Sequence, residues 1–135
     1  MAGTPRETKV WQEAIGLASD IIRVVRRATR RETKAFTDAL MLSSTAVASA
    51  IAEAPTRPTP AEERECYARA RRSLVTVETQ LAIARVSGVI PASVHAQLAA
   101  RVASLSQRVS NQLNHVEKHH DQSPTVTLPM LADTP

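Results

Sequence analysis

The sequence predicts an all-α protein, an antiparallel up-and-down four-helix bundle, on three observations. Glycine occurs only at Gly3, Gly16 and Gly88, and proline gathers at a few breaks. The segments between breaks are rich in Ala, Leu, Arg, Glu and Gln, which favour helix. Each segment carries apolar residues at steps of three and four, the mark of a helix buried along one stripe.

The first stripe is Val10, Ala14, Leu17, Ala18, Ile21, Val25 and Ala28. The second is Phe36, Leu40, Val47, Ala50 and Ile51, with Asp38, Thr45 and Ser49 on the opposite side. The third is Tyr67, Ala70, Leu74, Val77, Leu81 and Ala84. The fourth, Val94, Leu98, Val102, Leu105, Val109, Leu113 and Val116, approaches a heptad repeat. Three stretches fit the S/T-x-x-E capping box: Thr4 to Glu7, Thr29 to Glu32 and Thr59 to Glu62. Pro5 and Pro60 then fall at the first helical position, where a missing N–H costs nothing. Pro55 to Pro60 cannot be helix interior and links the second and third helices. Gly88 ends the third helix and Pro91 opens the fourth. The first junction holds neither Gly nor Pro, so a helix running on through Ala28 stays open as a reading. Short connections favour the bundle over its alternative, a helical hairpin that dimerises. The bundle is assigned to residues 1–118 and a flexible tail to 119–135, where periodicity fails. Within that tail "VTLPML" could dock on another surface.

The third helix carries a second apolar set, Val75, Ala82, Ile83 and Val86, roughly opposite the first. A helix apolar on two sides must bury both, which points to an oligomer interface.

The totals narrow the function. The 135 residues suit one domain, and the net charge of +4 favours an anionic partner. Only Trp11, Phe36 and Tyr67 are aromatic, so contact with nucleic acid would fall on phosphate rather than on stacked bases. The single cysteine, Cys66, cannot form an intramolecular disulfide. The N-terminus lacks a signal-like apolar run, and no uninterrupted apolar run reaches about 20 residues, so a cytoplasmic protein with no membrane partner is expected.

Three stretches, "VWQEAIGLASDI" (Val10 to Ile21), "SAIAEA" (Ser49 to Ala54) and "SLVTVETQLAIAR" (Ser73 to Arg85), resemble the 23S rRNA intervening-sequence proteins, a family of four-helix bundles. A relative in that superfamily is the accessory variability determinant of diversity-generating retroelements. The resemblance implies a homopentameric ring or barrel and no known catalytic activity; no cofactor is expected. It also implies a basic surface that binds RNA or DNA and, in the retroelement relatives, a reverse transcriptase. The chain departs from the family where members often carry two basic residues, at Met41 and Leu42. It reads Ala50-Ile51-Ala52-Glu53-Ala54 where members often read Asn-Ile-Ala-Glu-Gly, and it has Arg72 at a small-residue position. The basic site of the second helix is thus missing, while Arg69, Arg71 and Arg72 add charge to the third.

No nucleophilic triad, paired-carboxylate site or phosphate loop is visible, so an enzyme is not expected. Glu53 and Glu78 fall in the matching segments and read as a structural polar tie between helices. His115 and His119 stand four apart on one helical face, but at a helix end with nothing to hold ligands rigid, so no metal site is assigned. The arginine run is the strongest signal: Arg23, Arg26, Arg27, Arg30, Arg31 and Lys34 stand within twelve residues with one acid, Glu32. A solvated helix end accounts for two or three of these; six exceed that need. Together with Arg69, Arg71 and Arg72 they form the candidate nucleic-acid surface. A protein-interaction scaffold, using the same basic face to dock an acidic partner, is the competing reading.

Overall fold

The structure is a computed structural model that describes the backbone of residues 8–121 and side chains through 118. Among the described residues there are four α-helices and no strand: α1 (Lys9–Ala28), α2 (Lys34–Glu53), α3 (Pro60–Val86) and α4 (Ala92–Asp121). Short 3₁₀ turns, Arg31–Thr33 and Ala54–Thr56, precede α2 and follow it. Each helix packs on the next, and α4 returns to α1, which closes a four-helix bundle within one chain. The boundary expected at 118 lies inside α4, which runs three residues further. The expected tail from 122 onward lies outside the described residues, as does the Thr4 to Glu7 box.

The apolar stripes meet in one core. Ile21, Leu40, Ile51, Leu74, Leu81 and Leu105 are among its largest fully buried side chains. Burying each contributes roughly 1.5–3 kcal/mol. The seam of α2 departs from the expected stripe. Its buried positions are Thr37, Leu40, Ser44, Val47, Ala48, Ala50 and Ile51, and two of them are hydroxyl residues. Phe36 is only partly buried against the core. Thr37 and Ser44 tolerate burial because their hydroxyls donate to α2 carbonyls, Thr37 to Lys34 (3.1 Å) and Ser44 to Met41 (3.0 Å).

The caps correct one expected start and bear out another. Thr8 caps α1, its hydroxyl accepting from the Trp11 amide at 3.3 Å. Thr29 ends α1 instead of starting α2. Its N–H and its hydroxyl both donate to the Val25 carbonyl (2.8 and 2.6 Å), and the hydroxyl lies 2.9 Å from that of Thr37. Thr59 caps α3 as expected, accepting from the Glu62 amide at 3.2 Å, with Pro60 first in the helix. Glu62 accepts from the Thr59 hydroxyl (2.9 Å) and so closes the box through the side chain.

Gly88 adopts φ 83° and completes a Schellman ending: its N–H donates to Arg85 (3.2 Å) and the Val89 N–H to Ala84 (2.8 Å). By length and composition the stretch Arg31–Thr56 is apolar enough to cross a membrane, although charged residues interrupt it, and 39% of its 18-residue apolar window is buried inside the bundle. Its apolar face is the α2 side of the bundle core.

Candidate nucleic-acid interface

The arginine run folds as a tied bend. Arg26 and Arg27 stand exposed in the last turn of α1. Arg30 is extended (φ −119°, ψ 167°), which breaks the helix and settles the open junction in favour of two helices. The Arg30 N–H donates to the Thr33 hydroxyl (3.0 Å), and the Thr33 N–H returns to the Arg30 carbonyl (3.1 Å). The backbone under Arg30 and Arg31 is therefore held by hydrogen bonds at both ends of the turn.

Ion pairing then sorts the six cations. Arg23 pairs with Asp20 (3.0 Å) and Lys34 with Asp38 (2.7 Å). Arg26, Arg27, Arg30 and Arg31 are exposed, and none has an ion-pair partner among the described residues. Exposed pairs like those of Arg23 and Lys34 contribute roughly 0–1 kcal/mol and yield readily to a stronger anion. The four unpaired guanidiniums keep their full donor capacity for phosphate.

The structure does not gather all nine expected basic residues into one surface. Arg69 is paired with Glu53 (2.9 Å) and Arg72 with Glu65 (2.8 Å). Arg71 is exposed and unpaired among the described residues, but it lies 15 residues before the end of α3, about 22 Å along the axis. That end of α3 is the one the bend occupies. Across the groove between α1 and α4, Asp20, Arg23 and Val24 face Val94, Gln97 and Leu98, so the start of α4 lies beside the end of α1. Arg85, in the last turn of α3, therefore shares the bend's end of the bundle, exposed and without an ion-pair partner among the described residues. Sequence reasoning missed it because one cation in a last turn reads as a partner of the helix dipole.

Glu53 and Glu78 do not meet. Glu53 lies level with Arg69, and Glu78 is nine residues, about 14 Å, further along α3. Glu53 does tie α2 to α3 through Arg69, while Glu78 is exposed with no ion-pair partner among the described residues. Val75 (61% exposed), Ile83 (49%) and Val86 (76%) stand open on α3, with Ala82 half-buried beside them. Leu42 on α2 is 71% exposed.

Elsewhere the electrostatics are structural. The Arg72 guanidinium bonded to Glu65 lowers the carboxyl from its usual range. Burial, and then the Glu63 carboxylate, pushes the Tyr67 phenol up, against a hydrogen bond with Gln112 that lowers it. Among the described residues no group of three His, Cys, Asp or Glu is placed to hold a metal ion. The His119 side chain of the weighed histidine pair lies outside the described side chains.

Two comparisons with known proteins complete the picture. A family model described as 23S rRNA-intervening sequence protein matches residues 6–111. No curated protein matches the chain.

Proposed function

The chain belongs to the 23S rRNA-intervening sequence protein family, and from that premise we propose that it is a non-enzymatic RNA-binding protein that grips the phosphate backbone with its α1–α2 bend. One observation carries the reading: Arg26, Arg27, Arg30 and Arg31 are exposed on a hydrogen-bonded turn, free of ion pairs among the described residues. Arg85 supports them from the end of α3. Contact is to phosphate rather than to bases, because the chain offers three aromatic residues in all. Structured RNA or duplex therefore binds at least as well as single strands.

The working form in this proposal is an up-and-down bundle assembled as a homopentameric ring. The open side of α3 at Val75, Ile83 and Val86 supports assembly, since exposed apolar clusters of this kind mark contact surfaces. Five bends around a rim act together, so weak single contacts add to a useful affinity. The natural setting proposed is as accessory to a reverse transcriptase of a diversity-generating retroelement.

The test is the triple variant Arg26→Glu, Arg27→Glu, Arg30→Glu. It should abolish binding of duplex RNA at moderate salt while the helical circular dichroism stays unchanged. Wild-type protein that binds RNA only after the reverse transcriptase is added would favour the scaffold reading over direct binding.

A further inference from the structure

α1 and α4 meet less closely than the other neighbouring helices. Toward the basic bend their seam opens into a hollow of about 500 Å³, against about 270 Å³ for the next hollow along it. One wall is apolar: Val24, Val94 and Leu98, the last buried in the core. The rim is polar, made by Asp20, Arg23, Gln97 and Arg101. Sites for small ligands have this make-up, about 300–1,000 Å³ of mostly apolar lining with a few placed polar groups.

Two cations share Asp20 at this rim. Arg23 Nη1 donates to its Oδ1 at 3.0 Å, and Arg101 Nη1 donates to its Oδ2. One carboxylate thus answers two guanidiniums, and one positive charge stays uncompensated. A guanidinium carries five N–H donors, so each keeps donors for a second anion. Arg27 follows Arg23 by one turn on the same face of α1, about 6 Å along the axis, so cations lead from the bend into the hollow. On the side away from the bend the hollow is closed. There the Asp20–Arg101 crossing separates it from the hollow at Leu17 and Leu105. Arg101 Nη2 reaches on to Gly16, where an added Cβ would stand 3.3 Å away. A strand that enters from the bend therefore meets a dead end at this crossing.

We propose that this hollow seats the end of an RNA strand by its terminal phosphate, an inference that rests on the bend reading for the strand's approach. The phosphate lies between Arg23 and Arg101. The terminal nucleoside lies against Val24, Val94 and Leu98, with the Gln97 amide offered to its ribose hydroxyls. A terminal phosphate monoester carries about −1.5 to −2 charges at pH 7, where an internal diester carries one, so the doubled guanidiniums favour an end over the middle of a strand. An aliphatic wall makes no hydrogen bond to a base edge, so any nucleoside is accepted. Selection is for ends and not for sequence, in keeping with a bend that contacts phosphate.

Two titrations of the full-length protein test this. In methyl NMR, uridine 3′,5′-bisphosphate should shift the signals of Val24, Val94 and Leu98, and uridine should not. In a binding assay, duplex RNA phosphorylated at every end should bind about tenfold tighter than the same duplex with hydroxyl ends, the worth of one charge-assisted hydrogen bond. Arg101→Gln should equalise the two duplexes. So should Val94→Glu, which leaves the Asp20–Arg101 crossing in place, with helical circular dichroism unchanged in both variants. Equal affinity of the two duplexes for the wild-type protein would overturn the proposal and leave the bend its role. Methyl signals that ignore the bisphosphate, or that move equally with uridine, would overturn it too. If the bisphosphate shifts the methyls while neither duplex binds, the hollow takes free nucleotides, and this proposal falls together with the bend reading.

Discussion

Tyr67 and Gly16 carry the sharpest single-residue consequences. Tyr67 is the only tyrosine, so its ionisation can be followed by absorbance without interference from another phenol. Burial raises its pKa above the ordinary 10.0. The folded phenol thus holds its proton to higher pH than the unfolded one, and the unfolded chain binds fewer protons between the two values. Stability should fall as pH rises through 10.0, with the slope reduced in Tyr67→Phe; equal slopes in denaturant melts of the two proteins would contradict this. Gly16 sits mid-helix, where glycine costs about 0.5–1 kcal/mol relative to alanine. A methyl there would meet Arg101 Nη2 at 3.3 Å, the far end of a flexible side chain. Gly16→Ala should therefore stabilise the bundle by about 0.5 kcal/mol in urea titration. A loss would show that the Asp20–Arg101 crossing is rigid.

The helices themselves were legible in the sequence because burial imposes the three-and-four spacing, and the stripes of α1, α3 and α4 pack as read. Their ends were harder. Thr4, Thr29 and Thr59 fit one capping pattern, yet Thr29 terminates a helix because its hydroxyl reaches back to Val25 rather than forward to an amide. Nothing in the local sequence separates those two uses of a threonine. Thr37 and Ser44 were missed as core for a related reason: their polarity hides a buried position that hydrogen bonds to α2 carbonyls make acceptable. Gly88 was legible, since a positive φ at a helix end favours glycine. With no atom within 4 Å of an added Cβ, Gly88→Ala isolates backbone strain and should cost about 1–2 kcal/mol. An unchanged melting temperature would count against the left-handed ending.

At the scale of the molecule, half of the candidate site was readable. A run of arginines is contiguous in sequence, so its presence at one bend needed no folding to be seen. Which of them are free did need it: Asp38, Glu53 and Glu65 pair with Lys34, Arg69 and Arg72, Asp20 is shared between Arg23 and Arg101, and Arg85 joins from another helix. The assembly belongs to this scale as well. Light scattering at micromolar concentration should return a mass near five chains, and Val75→Glu with Val86→Glu should reduce it to one; a wild-type monomer would remove the ring. The bend's role is tested most directly by the affinity for duplex RNA measured against salt concentration. If guanidinium–phosphate contacts carry binding, log K falls linearly with log salt, and the slope loses roughly 0.9 for each bend arginine converted to a neutral residue, taking the duplex DNA value as a guide. Binding that is unchanged between low and high salt, or a slope unaffected by removing Arg26, Arg27 and Arg30, would contradict the account.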